Sequence, residues 1–226
     1  MSENHPQKFD HYVSLGINCE VDFQFRRVLA GHEESGYFAT GMTRLGTLLS
    51  LLNSGFAGIC QPENLVYTGI TSLVKDVAYD YTFHWVGPGI EEVSNPDTEA
   101  FVRNSGRLHY LAAKFRRIAA SGDSIAFFYA CHDESPYEPL VQVAELLETR
   151  YGAENFKLIV VQTIDKLESD WEHPRLHNRY VERFAPWGNV IDASERCWDR
   201  IFAEFPFRHR VAYDRPQSDQ RSAILK

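Results

Sequence analysis

The order of residues predicts an α/β fold: a single domain with a central, mostly parallel sheet flanked by helices. Three observations predict it. The runs Ser124-Ile125-Ala126-Phe127-Phe128-Tyr129-Ala130 and Phe156-Lys157-Leu158-Ile159-Val160-Val161 are almost continuously apolar, as strands covered on both faces are. Segments with helical apolar spacing lie before, between and after them, which is the alternation of a layered α/β domain. No Gly/Ser/Pro-rich linker divides the 226 residues, so one domain is expected over 11–207, with a flexible N-terminus at 1–10 and a polar tail at 208–226.

Taken in order, Tyr12-Val13-Ser14-Leu15-Gly16-Ile17 reads as a first strand. A helix follows from 19 to 30, with Val21, Phe25, Val28 and Leu29 on its apolar face, Glu20, Asp22, Arg26 and Arg27 on the other, and Gly31 as its stop. A loop over 33–41 leads to a helix at 43–53 carrying a leucine stripe, Leu45, Leu48, Leu49 and Leu52. Extended pattern covers 65–67, 73–74 and 77–85. In the last run Asp80, Thr82 and His84 alternate with Tyr79, Tyr81, Phe83 and Trp85. A turn at 87–89 precedes a long helix at 97–120 with Phe101, Leu108, Leu111, Ala112, Phe115 and Ile118 on the buried side. The two apolar strands bracket a helix at 137–150, ended by Gly152, and a strand at 179–184 and a helix at 194–205 complete the domain.

Composition excludes some roles. Net charge is −8 and the isoelectric point is near 5.6, which argues against general affinity for nucleic acid or anionic membranes. No 18-residue apolar run is present, so no membrane insertion is expected. Four scattered cysteines without a C-x-x-C pair, and a polar start at Met1-Ser2-Glu3-Asn4, place the chain in a reducing cytoplasm. One glycine at the first strand-helix turn is too few for a dinucleotide or P-loop fingerprint, and no cofactor is expected. Oligomeric state is not legible.

The chemistry-bearing feature is Cys19, where the first strand breaks at Asn18 and a helix begins. A thiol there faces free backbone N–H groups and the positive helix end, both favouring thiolate. The alternative is a buried cysteine used as a small apolar residue. A thiol nucleophile needs a base and an orienting group. His84, on the polar side of its strand and downstream of the cysteine, is the candidate base; pairing with Asp80 or a neighbouring aromatic is its structural alternative. Asp133, beyond Ala130-Cys131-His132, is the candidate orienting group, with Asp80, Asn155 and Asp165 as rivals. The Cys19 N–H and the Asn18 amide are candidates to stabilise an oxyanion, against a helix-capping role for Asn18. Cys131-His132-Asp133-Glu134 has zinc-competent side chains but lacks zinc spacing, so no metal site is expected. Phe83, Trp85, Trp171, Trp187 and Trp198 offer either a sugar-stacking platform or core.

Tyr12 to Glu20, continued by Phe23-Gln24-Phe25-Arg26-Arg27, resembles the opening of a bacterial family of uncharacterised domains labelled papain-like cysteine peptidases. Ser35-Gly36-Tyr37-Phe38, Pro62-Glu63-Asn64-Leu65 and Asp76 to His84 extend the resemblance to about residues 12–90. It implies a Cys/His thiol hydrolase with Cys19 and His84 at the matching positions, acting on a peptide or acyl substrate. Where that family carries Phe-Asp-Trp, this chain reads Phe38-Ala39-Thr40, which points to an altered or inactive member. Two other readings stand beside it: glycan or nucleotide-sugar processing or binding, and a non-catalytic interaction domain.

Overall fold

The computed structural model describes residues 6–29, 35–39, 41–70, 72–134, 136–186, 189 and 193–208. Within the sequence expectations, Ala30, Gly31, Glu33, Glu34, Thr40 and Trp187, the first five residues and the tail from 209 onward lie outside the described residues.

A four-stranded parallel sheet forms the centre, in the order β1 (His11–Ser14), β6 (Ile125–Ala130), β7 (Phe156–Thr163), β8 (Leu176–Val181). All six residues of β6 are buried, which explains its unbroken apolar run. Alternation sends Val13, Phe127, Tyr129, Leu158 and Val160 to one face and Tyr12, Ala126, Phe128, Ile159 and Val161 to the other, each in its own core cluster. The second face is covered by α1 (Glu20–Leu29) and α5 (Glu195–Glu204), through Val21, Phe25, Trp198 and Phe202. The first is covered by α3 (Glu99–Ala119) and α4 (Tyr137–Thr149), through Leu108, Phe115, Leu140 and Leu147.

A second sheet, not foreseen as a separate unit, joins the first-face core. It is antiparallel, in the order β2 (Gly41–Met42), β5 (Tyr81–His84), β4 (Leu73–Asp76), β3 (Leu65–Tyr67). Its inner side packs Val74, Tyr81 and Phe83 into the core with the leucines of α2 (Leu45–Ser54). The expected strand over 77–85 is shorter: residues 77–80 form a turn, with Asp80 at φ 53. Gly41 lacks a side chain for a visible reason, since a Cβ there would stand 2.3 Å from the Tyr81 hydroxyl oxygen.

Two other expectations shift. The first strand ends at Ser14 rather than running on to Ile17; Gly16 takes φ 111, while the Leu15 N–H and the Gly16 carbonyl still bond Phe128 and Ala130 of β6 at 2.8 and 3.0 Å. The last strand lies at Leu176–Val181 rather than 179–184, since residues from 182 leave the sheet to meet α1. Glu20 and Asp22, expected on a solvated face of α1, are buried at 0% and 4% exposure. The α5 helix packs against Glu20, its Trp198 indole N–H donating to the carboxylate at 2.9 Å, and Asp22 pairs with Arg26 at 2.7 Å.

Candidate functional site

The carboxyl ends of the parallel strands are where an open α/β sheet presents ligands, and the β1–α1 turn, the residues after β6 and the start of α2 all meet there. The Ala130 N–H donates to the Gly16 carbonyl at 3.0 Å and the Thr43 N–H to the Ile17 carbonyl at 3.0 Å. The Tyr129 hydroxyl donates to the Thr43 carbonyl at 3.2 Å. This lattice fixes the turn that carries Asn18 and Cys19.

Cys19 stands immediately before α1, its carbonyl accepting the Phe23 N–H at 3.0 Å. It is half-buried, whereas Cys60, Cys131 and Cys197 are buried, and all four are free thiols. Among the described residues no other side chain hydrogen-bonds its Sγ. The expected thiolate preference is reversed: burial first and the Asp22 carboxylate second push the thiol pKa up. Arg26 and the local backbone N–H pull it down by less. Asn18 acts as a cap, its Oδ1 accepting the Glu20 N–H at 2.9 Å.

His84 ends β5 on the outer side of the antiparallel sheet, alternating with the buried Tyr81 and Phe83. Its Nδ1 shares a 3.0 Å hydrogen bond with the Ser72 hydroxyl, and Arg107 donates to its carbonyl at 3.4 Å. Burial, then the Arg107 charge, lower its pKa, so the ring is neutral at pH 7. Asp133 is exposed and accepts a 3.8 Å contact from the Cys131 thiol, whose own pKa burial raises to about 12. Cys19 thus lies in the turn after β1 of the parallel sheet and His84 in the antiparallel sheet, and no hydrogen bond or ion pair among the described residues joins Cys19, His84 and Asp133. Sequence order put them in line; β5 pairs with β2 and β4, which gives His84 to Ser72 instead.

The rivals for the third position are also committed elsewhere. Asp80 pairs with Lys75 at 2.5 Å, which lowers its pKa. Asn155 accepts from Gln7 at 2.9 Å and precedes β7, at the opposite end of the sheet. Asp165 is exposed after β7. The Cys131–Glu134 run is opened out rather than converged. The His132 ring lies 4.5 Å from that of Phe184, and Lys166 Nζ holds the His132 and Asp133 carbonyls at 2.5 and 3.2 Å and the Glu134 carboxylate at 3.1 Å. Among the described residues no group of three or more His, Cys, Asp or Glu converges as a metal site. Trp198 and Phe83 are core, Trp85 is 3% exposed, and Trp171 is half-buried against Tyr137.

Sequence reasoning missed Glu20. Its carboxylate accepts the Ala185 N–H at 2.8 Å and the Trp198 indole N–H at 2.9 Å, tying the segment after β8 and α5 to the start of α1, one residue from Cys19. Burial is the leading influence on its carboxyl and raises its pKa. The one available signal was an acidic residue at a helix start, and that pattern is met as often on solvated helices.

No helix among the described residues is long and apolar enough to cross a membrane. Comparison of the chain with protein-family models, curated proteins and solved structures finds no match in any of the three.

Proposed function

We propose that the chain is a thiol-dependent hydrolase or acyl-transfer enzyme with Cys19 as nucleophile. One observation carries the reading: the only half-buried cysteine of the four stands at the start of α1, at the carboxyl end of β1 in the parallel sheet. Backbone N–H groups of the first turn of α1 supply oxyanion donors at that point. The thiol is protonated at rest, because burial and Asp22 raise its pKa, so turnover needs a base. His84 is neutral and competent for that role once it exchanges Ser72 for the thiol, and Asp133 would orient it after leaving Cys131.

A screen of activated peptide and acyl esters with wild type, Cys19→Ala and His84→Ala tests this. The expected result is thiol-dependent turnover abolished by Cys19→Ala and reduced by about 10²–10⁴-fold in His84→Ala. An unchanged rate in Cys19→Ala overturns the nucleophile; an unchanged rate in His84→Ala overturns the base alone.

A second reading, handling of glycans or nucleotide sugars, is supported by the starts of α1, α2 and α4 lying at one edge of the sheet, where anionic groups are held by helix ends. It predicts ligand binding that is indifferent to alkylation of Cys19.

A further inference from the structure

Three helices end together at the amino end of the parallel sheet, opposite Cys19. The α3 helix leads into the start of β6 and α4 into the start of β7, and α2 stops beside them at Gly55, whose φ is 64. Their ends line a pocket of about 550 Å³ walled by Gly55, Arg116, Ala120, Arg150 and Tyr151, a size at which small molecules are held. Both guanidiniums are drawn to Gly55. Arg116 Nη1 donates to its carbonyl at 2.8 Å, and Arg150 Nη2 stands 2.9 Å from where a Cβ on Gly55 would sit. Tyr151 forms the fixed wall: its ring packs on Phe56 and Phe115 and its hydroxyl donates to the Leu52 carbonyl at 2.8 Å. Burial pushes that phenol up to about 12, and the charges of Arg150 and Arg116 pull against the rise.

Among the described residues no carboxylate pairs with Arg116 or Arg150, whereas Arg26, Arg27, Arg175 and Arg179 each hold one. Like charges gathered at one residue repel. Cations are favoured at helix carboxyl ends, and that accounts for one guanidinium. The last carbonyls of α2 are already taken, Leu52 by the Gly55 N–H and Leu51 by the Phe56 N–H, both at 3.1 Å, and Arg116 serves the Gly55 carbonyl with one donor. Each guanidinium carries five N–H groups, so the second guanidinium and most of these donors are left for the pocket. We infer that this pocket is a phosphoryl-binding site, separate from Cys19, which holds the phosphate monoester of a small molecule between Arg116 and Arg150. A phosphate dianion matches two guanidiniums in charge, and each fork meets two of its oxygens; a carboxylate balances one. Gly55 is the residue the site needs, because any Cβ there would displace the Arg150 fork. The chain as a whole carries a net charge of −8, so binding rests on this local pair and not on attraction to the whole molecule.

Titration calorimetry of the full chain with inorganic phosphate at pH 8, against acetate and chloride at matched ionic strength, tests the site. Phosphate should bind saturably and about tenfold or more tighter than acetate. Arg150→Ala should weaken it by about tenfold or more, and Arg150→Lys, which keeps the charge but loses the fork, by about threefold or more. Arg117→Ala, at an exposed position outside the pocket lining, should change it by less than about twofold. Phosphate should also raise the thermal midpoint of wild type more than that of Arg150→Ala, and Cys19→Ser should leave affinity intact. Glycerol phosphate should bind at least as tightly as a phosphoserine peptide; the reverse order overturns the small-molecule source. Absence of saturable binding beyond chloride, tighter binding of acetate than of phosphate, equal affinity in wild type and Arg150→Ala, or an equal loss in Arg117→Ala and Arg150→Ala overturns the site.

Discussion

Replacing Glu20 with Ala removes an acceptor on which two separate segments depend. The Ala185 N–H at 2.8 Å and the Trp198 indole N–H at 2.9 Å would both lose their partner, and Trp198 is 0% exposed, so water does not replace it. Each donor stranded in this way costs about 1–3 kcal/mol. Loss of the carboxylate from the first turn of α1 adds about 0.3–1 kcal/mol. Against this, the variant no longer buries a charge, and burial is the leading influence on the Glu20 carboxyl. The net expectation is a loss of about 2–5 kcal/mol, read as a lowered midpoint in urea unfolding followed by tryptophan fluorescence. With a slope of about 1–3 kcal/mol per molar urea, the midpoint should fall by at least about 0.7 M. Trp198→Phe removes one donor and keeps the ring, and the coupling energy between the two variants should be about 1–3 kcal/mol. A loss below about 0.5 kcal/mol in Glu20→Ala, or zero coupling, would refute the role of Glu20 as the clamp between α1, α5 and the segment after β8.

Burial also raises the pKa of Asp76, although its carboxylate accepts the Cys60 and Ala78 N–H groups at 3.0 and 3.1 Å. An acid whose folded pKa lies above its unfolded value stabilises the fold below the unfolded value, and that contribution fades as pH rises through the folded pKa. The contribution of Glu20 and Asp76 therefore declines as pH rises above about 4, and Glu20→Gln should flatten that part of the stability profile; a steeper decline in the variant would contradict the assigned shift. Gly41→Ala should cost about 1–3 kcal/mol, because its Cβ would stand 2.3 Å from the Tyr81 hydroxyl oxygen and 2.5 Å from the ring. Thermal unfolding reads this directly, and an unchanged midpoint would show that Tyr81 moves aside freely. Iodoacetamide labelling of Cys19 should be slow at pH 7 and rise steeply above pH 9, and Asp22→Asn should speed it at pH 8 by removing a charge that disfavours the thiolate. Fast labelling of wild type near pH 6 would show the thiol to be activated instead.

The sequence alone determined the fold class and most element positions, because those rest on local periodicity. The nearly continuous apolar runs 124–130 and 156–161 carried the pattern of doubly covered strands, and the leucine stripe of 43–53 needed only one neighbouring face. The break after the first strand and the capping role of Asn18 were equally local, written in a few adjacent residues. What the tertiary structure decided are the relations between distant segments. A second sheet forms because β5 pairs with β2 and β4, and the β4 register, which sets Leu73 opposite His84, brings Ser72 to the His84 ring. The closing of α5 over Glu20 turns an apparently solvated acid into a buried clamp, and burial together with Asp22 reverses the helix-start effect on Cys19. Periodicity records which side of an element is apolar. Pairing, desolvation and charge proximity depend on what arrives from elsewhere in the chain, and local pattern carries no trace of them.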